Sequence, residues 1–250
     1  MSRSLLVLAA LALVATACNG TDTTTTTTTT GSAGPIELAY DFVGGSDGWA
    51  SEVADYTDAT RPDDLLSETE GAPPGFDPAD GFFHLAASNR SDDLFLYLYR
   101  AVTDTDGLEP GATYEVSYTV EFASNAPSGC AGIGGAPGES VWMKVGASEE
   151  EPIPVSEDGD TRLAVDKGGQ SQGGEAADVA GVIANGIPCE EALDQDPTPY
   201  ALVTLEETLD GPVTADDDGR LWLFVGTDSG FEGRTSIWYD RIEVTLERVA

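Results

Sequence analysis

The fold class predicted by this 250-residue sequence is all-β, an antiparallel β-sandwich or jelly roll. Three observations predict it: period-2 runs of apolar and polar residues, turns rich in Gly, Pro, Asn and Asp between them, and no helical periodicity of any length. The cleanest run is 114–122, where Tyr114, Val116, Tyr118, Val120 and Phe122 alternate with Glu115, Ser117, Thr119 and Glu121. Successive side chains of a strand point to opposite faces, so one face of this run is core and the other meets solvent. The turn before it, Gly107-Leu108-Glu109-Pro110-Gly111, uses proline to fix φ and glycine to accept a positive φ.

Residues 1–17 read as a signal peptide. A basic start leads into an apolar run over residues 5–14 and a small-residue stretch, Ala15-Thr16-Ala17, before Cys18. Crossing a bilayer takes about 20 apolar residues, and this run is roughly half that. The Ala-Thr-Ala-Cys ending resembles the lipobox of bacterial lipoproteins, which implies cleavage before Cys18 and acylation of that cysteine. An ordinary cleaved secretory signal is the alternative. Residues 18–35 form a Thr-rich linker with an unbroken run from Thr23 to Thr30, and nothing apolar to offset the entropy of ordering it. It reads as a flexible tether for a single domain over 36–250, exported and facing outward from a bacterial membrane.

Within that domain, strands are expected at 36–43, 49–55, 82–87, 94–102, 114–122, 140–146, 200–205, 221–226 and 237–248. Residues 124–195 form a long Gly-rich elaboration around strand 140–146, and 173–184 is the one stretch where a short helix could form. The chain carries 45 acidic and 11 basic residues, a formal net charge of −34, and its only lysines are Lys144 and Lys167. Nucleic acid is excluded as a partner on this ground, because phosphate neutralisation needs clustered Lys and Arg. The lipid anchor is then the only membrane contact expected, since anionic lipid repels such a domain. If Cys18 is acylated, Cys130 and Cys189 remain to pair in an oxidising compartment. Free thiols or a metal site are the alternatives, but one histidine and no Cys-x-x-Cys argue against zinc.

No catalytic constellation stands out. His84 shares its parity with Phe82, the reading of a satisfied, partly buried histidine, and no Gly-x-Ser-x-Gly elbow accompanies it. The run 166–174 is Gly-rich but lacks the ending of a phosphate-binding loop. It reads as a mobile surface loop whose Lys167, Gln170 and Gln172 can bond sugar hydroxyls. Strand 94–102 is apolar on both faces, with Leu94, Leu96 and Leu98 opposite Phe95, Tyr97 and Tyr99. The aromatic face is either covered by loops or is a binding platform, with Arg100 beside it and Asn89, Arg90, Asp92 and Asp93 in the loop before it as polar partners. Trp142 offers a second aromatic, on the polar side of its strand with Ser140 and Lys144.

The passages Tyr40-Asp41-Phe42 with Asp47-Gly48-Trp49, Gly-Leu-Glu-Pro-Gly-Ala-Thr-Tyr from Gly107 to Tyr114, and Trp238-Tyr239-Asp240-Arg241-Ile242-Glu243-Val244 together carry a resemblance. They resemble the first, central and last strands of galactose-binding-like jelly rolls, the fold of many carbohydrate-binding modules. The chain is similar also to bacterial lipoproteins of this general type. The resemblance implies glycan binding by exposed aromatic rings, and a structural calcium held at Asp41 and Asp240. Asp240 also has the parity of Ile242, Val244 and Leu246, so an inward carboxylate needing a partner is expected there. The expected function is a surface-anchored, non-enzymatic binding lipoprotein for a glycan or another cell-surface partner. Two readings stay beside it: a protein-interaction module using 124–195 as its interface, and a carboxylate-dependent surface hydrolase.

Overall fold

A computed structural model describes residues 34–249. The signal peptide, Cys18 and most of the tether lie outside the described residues. Fifteen strands are present in this span. They are β1 (Ile36–Tyr40), β2 (Ala50–Ala54), β3 (Tyr56–Thr57), β4 (Leu66–Glu68), β5 (Phe83–Ser88), β6 (Leu94–Val102), β7 (Thr113–Ser124) and β8 (Val141–Ser148). The second half holds β9 (Pro154–Glu157), β10 (Asp160–Leu163), β11 (Ala177–Val182), β12 (Ala201–Thr208), β13 (Val213–Thr214), β14 (Leu221–Ser229) and β15 (Arg234–Arg248).

The fold is the antiparallel β-sandwich expected. One sheet runs β12-β7-β15-β5-β4, with β1 also on β15 and β13 also on β7; the other runs β11-β8-β14-β6-β2. Between them lies the main core, in which Val116, Val120 and Phe122 of β7 meet Leu96 and Leu98 of β6 and Val225 of β14. The alternation of β7 is intact, with Tyr114, Val116, Tyr118, Val120 and Phe122 all buried.

A third layer explains why β6 is apolar on both faces. The small sheet β3-β10-β9 and the segment after β10 lie outside the second sheet. Ala54, Phe95, Tyr97 and Phe224 form a second apolar cluster there with Val165, Ala176 and Ala177. Two glycines make room for these rings. A Cβ on Gly226 would sit 2.5 Å from the Tyr97 Cβ and 2.7 Å from the Leu96 carbonyl, and one on Gly146 would sit 2.2 Å from Phe224.

Two differences from expectation have physical causes. The stretch 173–184, where a short helix could form, instead holds the edge strand β11, which pairs with β8 from Ala177↔Gly146 to Val182↔Trp142. An open sheet edge satisfies the backbone of a segment whose glycines and β-branched valines disfavour a helix. The helix that does form, α1 (Cys189–Leu193), is a single turn beginning at the second cysteine of a disulfide. Cys130 and Cys189 are bonded, with Cα atoms 5.1 Å apart and a separation of 59 positions in sequence. The elaboration is therefore pinned at Cys130 and Cys189, and it supplies β8 to β11.

Candidate functional site

The two lysines meet over the outer face of the second sheet. Lys144 lies on β8 and is fully buried. Its Nζ donates to three backbone carbonyls of the Gly-rich run: Lys167 O at 2.8 Å, Gly169 O at 2.5 Å and Gln172 O at 2.7 Å. An ammonium has three protons, so its donor capacity is used up. The run 166–174, expected to be a mobile surface loop, is instead wrapped around a buried cation. Its start is fixed too: Asp166 accepts from Gly168 N at 2.9 Å and Glu175 N at 3.3 Å, and these amides hold its carboxyl below the usual range.

Lys167, projecting from that run, enters a group of carboxylates. Its Nζ lies 2.5 Å from Asp228 Oδ2 at the end of β14 and 2.8 Å from Asp55 Oδ2 after β2, and it stands 5.1 Å from the centroid of the Phe95 ring. Asp55 takes a positive φ of 61°, tolerable for an aspartate, which turns its carboxylate inward. Arg162 of β10 closes the rim, 3.0 Å from Asp93 and 3.7 Å from Asp55. Carboxylate oxygens of Asp55, Asp93 and Asp228 lie within 4.8 Å of one another, close enough to hold a metal ion. The cation that stands among them here is the Lys167 ammonium.

Burial sets the protonation balance. Asp228 has no exposed surface, and burial pushes its carboxyl up to about 6 against the pull of Lys167. Burial also works against the charge on Lys167, but Asp228 and Asp55 together outweigh it and leave this lysine above its ordinary range. Burial lowers Lys144. Asp228 Oδ1 is buried with no hydrogen-bond partner among the described residues.

A cleft of about 800 Å³ opens beside this cluster, lined by Asp92, Asp93, Arg162, Gln170, Ser171 and Gln172, with Leu163 and Val165 among the apolar walls. Carboxylates accept and the guanidinium and amides donate, so the lining can bond both ends of a polyhydroxylated ligand's hydroxyls.

Of the residues singled out by sequence, Lys167, Gln170 and Gln172 line this cleft, while Phe95, Tyr97, Tyr99, Arg100 and Trp142 do not. Phe95 and Tyr97 are fully buried, stacked with centroids 4.8 Å apart. Tyr97 also donates to Pro152 O at 2.6 Å. The third layer covers both, so neither ring is open to a sugar face. Tyr99 is half-exposed and lies 6.0 Å from half-exposed Trp222. Arg100 belongs to the end of the sandwich, 4.5 Å above the Tyr40 ring and 3.9 Å from Asp106. Trp142 is half-buried, its residue paired with Asp228 across the sheet.

The two aspartates expected at a calcium have different surroundings. Exposed Asp41 accepts from Val43 N at 3.2 Å, capping its own turn. Asp240 is not core-facing, because the register of β15 against β7 shifts between Tyr239 and Arg241. Such a bulge reverses parity: Ile237 and Tyr239 face inward before it, Ile242, Val244 and Leu246 after it. Asp240 is the extra residue, with Glu121 and Asp80 as its acidic neighbours.

No family model matches this chain, and no curated protein does. Among solved structures, a carbohydrate-binding module described for mannan recognition, TmCBM27, aligns with a TM-score of 0.38 and 10% identity over 87% of this chain and 100% of that one. The K3 cleaved adhesin domain of Lys-gingipain from Porphyromonas gingivalis W83 aligns at 0.37 and 12% identity over 83% and 98%. The enzymatically active domain of tailspike protein 4 from bacteriophage CBA120 aligns at 0.33 and 10% over 81% of this chain, which spans only 19% of that protein. Likenesses this distant carry no function across.

Asp92 and Asp93, read from the sequence as polar partners of the aromatic strand, do line the cleft, whereas Asp55, Arg162 and Asp228 were not legible as site residues. One signal did point to them: in a chain with 45 acidic residues, the only two lysines mark where buried carboxylates need a cation.

Proposed function

We propose that this chain is a non-enzymatic binding protein displayed on the outer side of a bacterial membrane by a lipid on Cys18, with a glycan as ligand. The observation that supports this reading best is the cleft beside the Gly-rich run. Its walls combine a guanidinium, two carboxylates and two side-chain amides, and the run behind them is held in place by Lys144 before any ligand arrives. Preorganised polar groups lose little entropy on binding, which is what a weakly hydrophobic, hydroxyl-rich ligand requires. Half-exposed Tyr99 and Trp222 supply the aromatic surface that buried Phe95 and Tyr97 do not. A structural calcium at Asp41 and Asp240 belongs to the same reading, with Glu121 as a further carboxylate beside Asp240.

Polysaccharide affinity measurements and a glycan array on the purified protein test the reading. A bound sugar should lose about ten- to a hundred-fold in affinity with Arg162→Ala, since a hydrogen bond to a charged group is worth about 1.5–3 kcal/mol. Absence of binding to any glycan, with and without calcium, would sink it. Mass spectrometry of the mature N-terminus tests the anchor separately: an acylated cysteine is expected, and an unmodified one removes it.

One observation favours a protein partner instead. Ile133 is 71% exposed and Leu193 is 70% exposed, and each lies within four residues of a cysteine of the disulfide. Capture of a cell-surface protein lost on Ile133→Ser, with no glycan bound, would move the function to that face.

A further inference from the structure

We propose that Lys167 and Asp228 condense to an intramolecular isopeptide bond, with Asp55 as the proton shuttle. This goes beyond the binding function, and it would hold whatever the ligand.

The geometry carries it. Lys167 Nζ is 2.5 Å from Asp228 Oδ2, inside the usual 2.7–2.9 Å of an ammonium–carboxylate contact. The carboxyl carbon lies at most one C–O bond beyond that oxygen, so it is no more than about 3.7 Å from the amine. Near-attack distances are about 3–3.5 Å, and groups held so can reach effective concentrations of about 10⁵ M or more. Both partners are buried, with Asp228 at 0% and Lys167 at 6% exposed. A buried ion pair is poorly repaid for its lost hydration. Proton transfer from the ammonium to the carboxylate gives a neutral amine and a neutral acid: burial favours the acid form of Asp228, and once that carboxylate is neutral it no longer holds the proton on Lys167, leaving Asp55 alone against the burial that disfavours the lysine's charge.

The other groups take definite roles. Lys144 cannot be the nucleophile, because three carbonyls hold all its protons. It stays cationic 3.7 Å from Asp228 Oδ2, where its charge opposes the negative charge that builds on this carboxyl group in the tetrahedral intermediate. Asp55 Oδ2, 2.8 Å from Lys167 Nζ, is the base. The Lys167 lone pair attacks Asp228 Cγ and forms the C–N bond while Asp55 takes a proton from nitrogen. Asp55 then returns that proton to the departing hydroxyl as the C–O bond breaks. One water leaves, Asp55 is restored, and nothing is oxidised or reduced. One positive and one negative charge vanish together, so Lys144 and Arg162 still balance Asp55 and Asp93.

The bond would tie the Gly-rich run to β14 across 61 residues of sequence. Unlike an ion pair, it would be indifferent to salt and pH.

Mass spectrometry of the purified, reduced full chain decides the matter. The wild type should be lighter by one water than its sequence requires. Its tryptic digest should hold a branched peptide joining Lys167 to Asp228, with no cleavage after Lys167. Lys167→Arg should restore the full mass. Asp55→Asn keeps both partners and should leave them unjoined. Unbranched peptides from the wild type, cut after Lys167, would overturn the proposal. So would a water loss that persists in Lys167→Arg, since that would place the loss elsewhere, as in an Asp-Gly succinimide.

Discussion

Lys144 Nζ donates to the backbone carbonyl of Lys167 at 2.8 Å, so one buried lysine fixes the chain that presents the other. The relationship orders the outer layer: Lys144 seats the Gly-rich run, and the seated run delivers Lys167 to Asp55 and Asp228.

Lys144→Met should therefore be strongly destabilising. The methionine fills much of the volume but strands three backbone carbonyls and leaves Asp228 short of a cation. Removing one partner of a buried charge cluster costs about 3–5 kcal/mol. Urea unfolding should show a midpoint lower by roughly 1–2 M, with the slope unchanged. A midpoint within error of wild type would mean that the run holds without its lysine.

How much of this was legible beforehand depended on the length of the pattern. Residues 114–122 fixed their own strand and face because five alternations leave one register that buries Tyr114 to Phe122 together. Strands β3, β4, β9, β10 and β13 have two to four residues each, too few to show a period, and they exist because an adjacent edge accepts them. At Asp240 the parity argument failed on a single bulge. At Phe95 and Tyr97 the sequence posed the right choice, covered or exposed, and only the third layer answers it. The site was the least legible part, since Asp55, Asp93, Arg162 and Asp228 come from four separate segments.

The disulfide gives a second prediction. Replacing Cys130 and Cys189 with serine frees a closed loop whose ends lie 59 positions apart in sequence, worth about 4 kcal/mol on a chain-entropy reckoning. The double variant should unfold at lower urea, and limited proteolysis should cut first within 124–140, where the run 129–138 carries no strand of its own. Unchanged stability would show that Ser128, which bonds Ile187 O at 2.8 Å and accepts from Cys189 N at 2.9 Å, closes the loop by itself.

A third prediction concerns the floor of the outer layer. Gly226→Ala places a methyl against the Tyr97 Cβ and the Leu96 carbonyl, which is backbone and cannot turn away. Overpacking of this kind costs about 1–3 kcal/mol. The expected readout is a lower melting temperature and altered near-ultraviolet circular dichroism from the Phe95–Tyr97 stack. Gly211→Ala, where no atom lies within 4 Å, is the control and should leave both unchanged.

The fourth prediction turns on the bulge at Asp240. Burial raises its carboxyl to about 7, and hydrogen bonding with Glu121 and the charge of that neighbour add to the shift. Arg241 gives little relief, because its guanidinium is engaged with Glu243 at 2.6 Å. A carboxyl whose folded pKa lies above its unfolded value of about 3.9 binds its proton more tightly when folded. Its contribution to stability is therefore greatest below about pH 4, falls as pH rises, and reaches its full cost above about pH 7. Asp240 is partly open to solvent, so screening reduces that cost to about 1 kcal/mol. Asp240→Asn should raise the melting temperature by about 2–4 °C at pH 8. The gain should shrink to about a third at pH 5. Calcium bound there would do the same work in the wild type, raising its melting temperature at pH 8 but not that of the variant. If chelator leaves the wild type unmoved while the variant still gains, Asp240 stands at pH 8 as an uncompensated carboxylate with no metal bound, and calcium drops out of the proposed function.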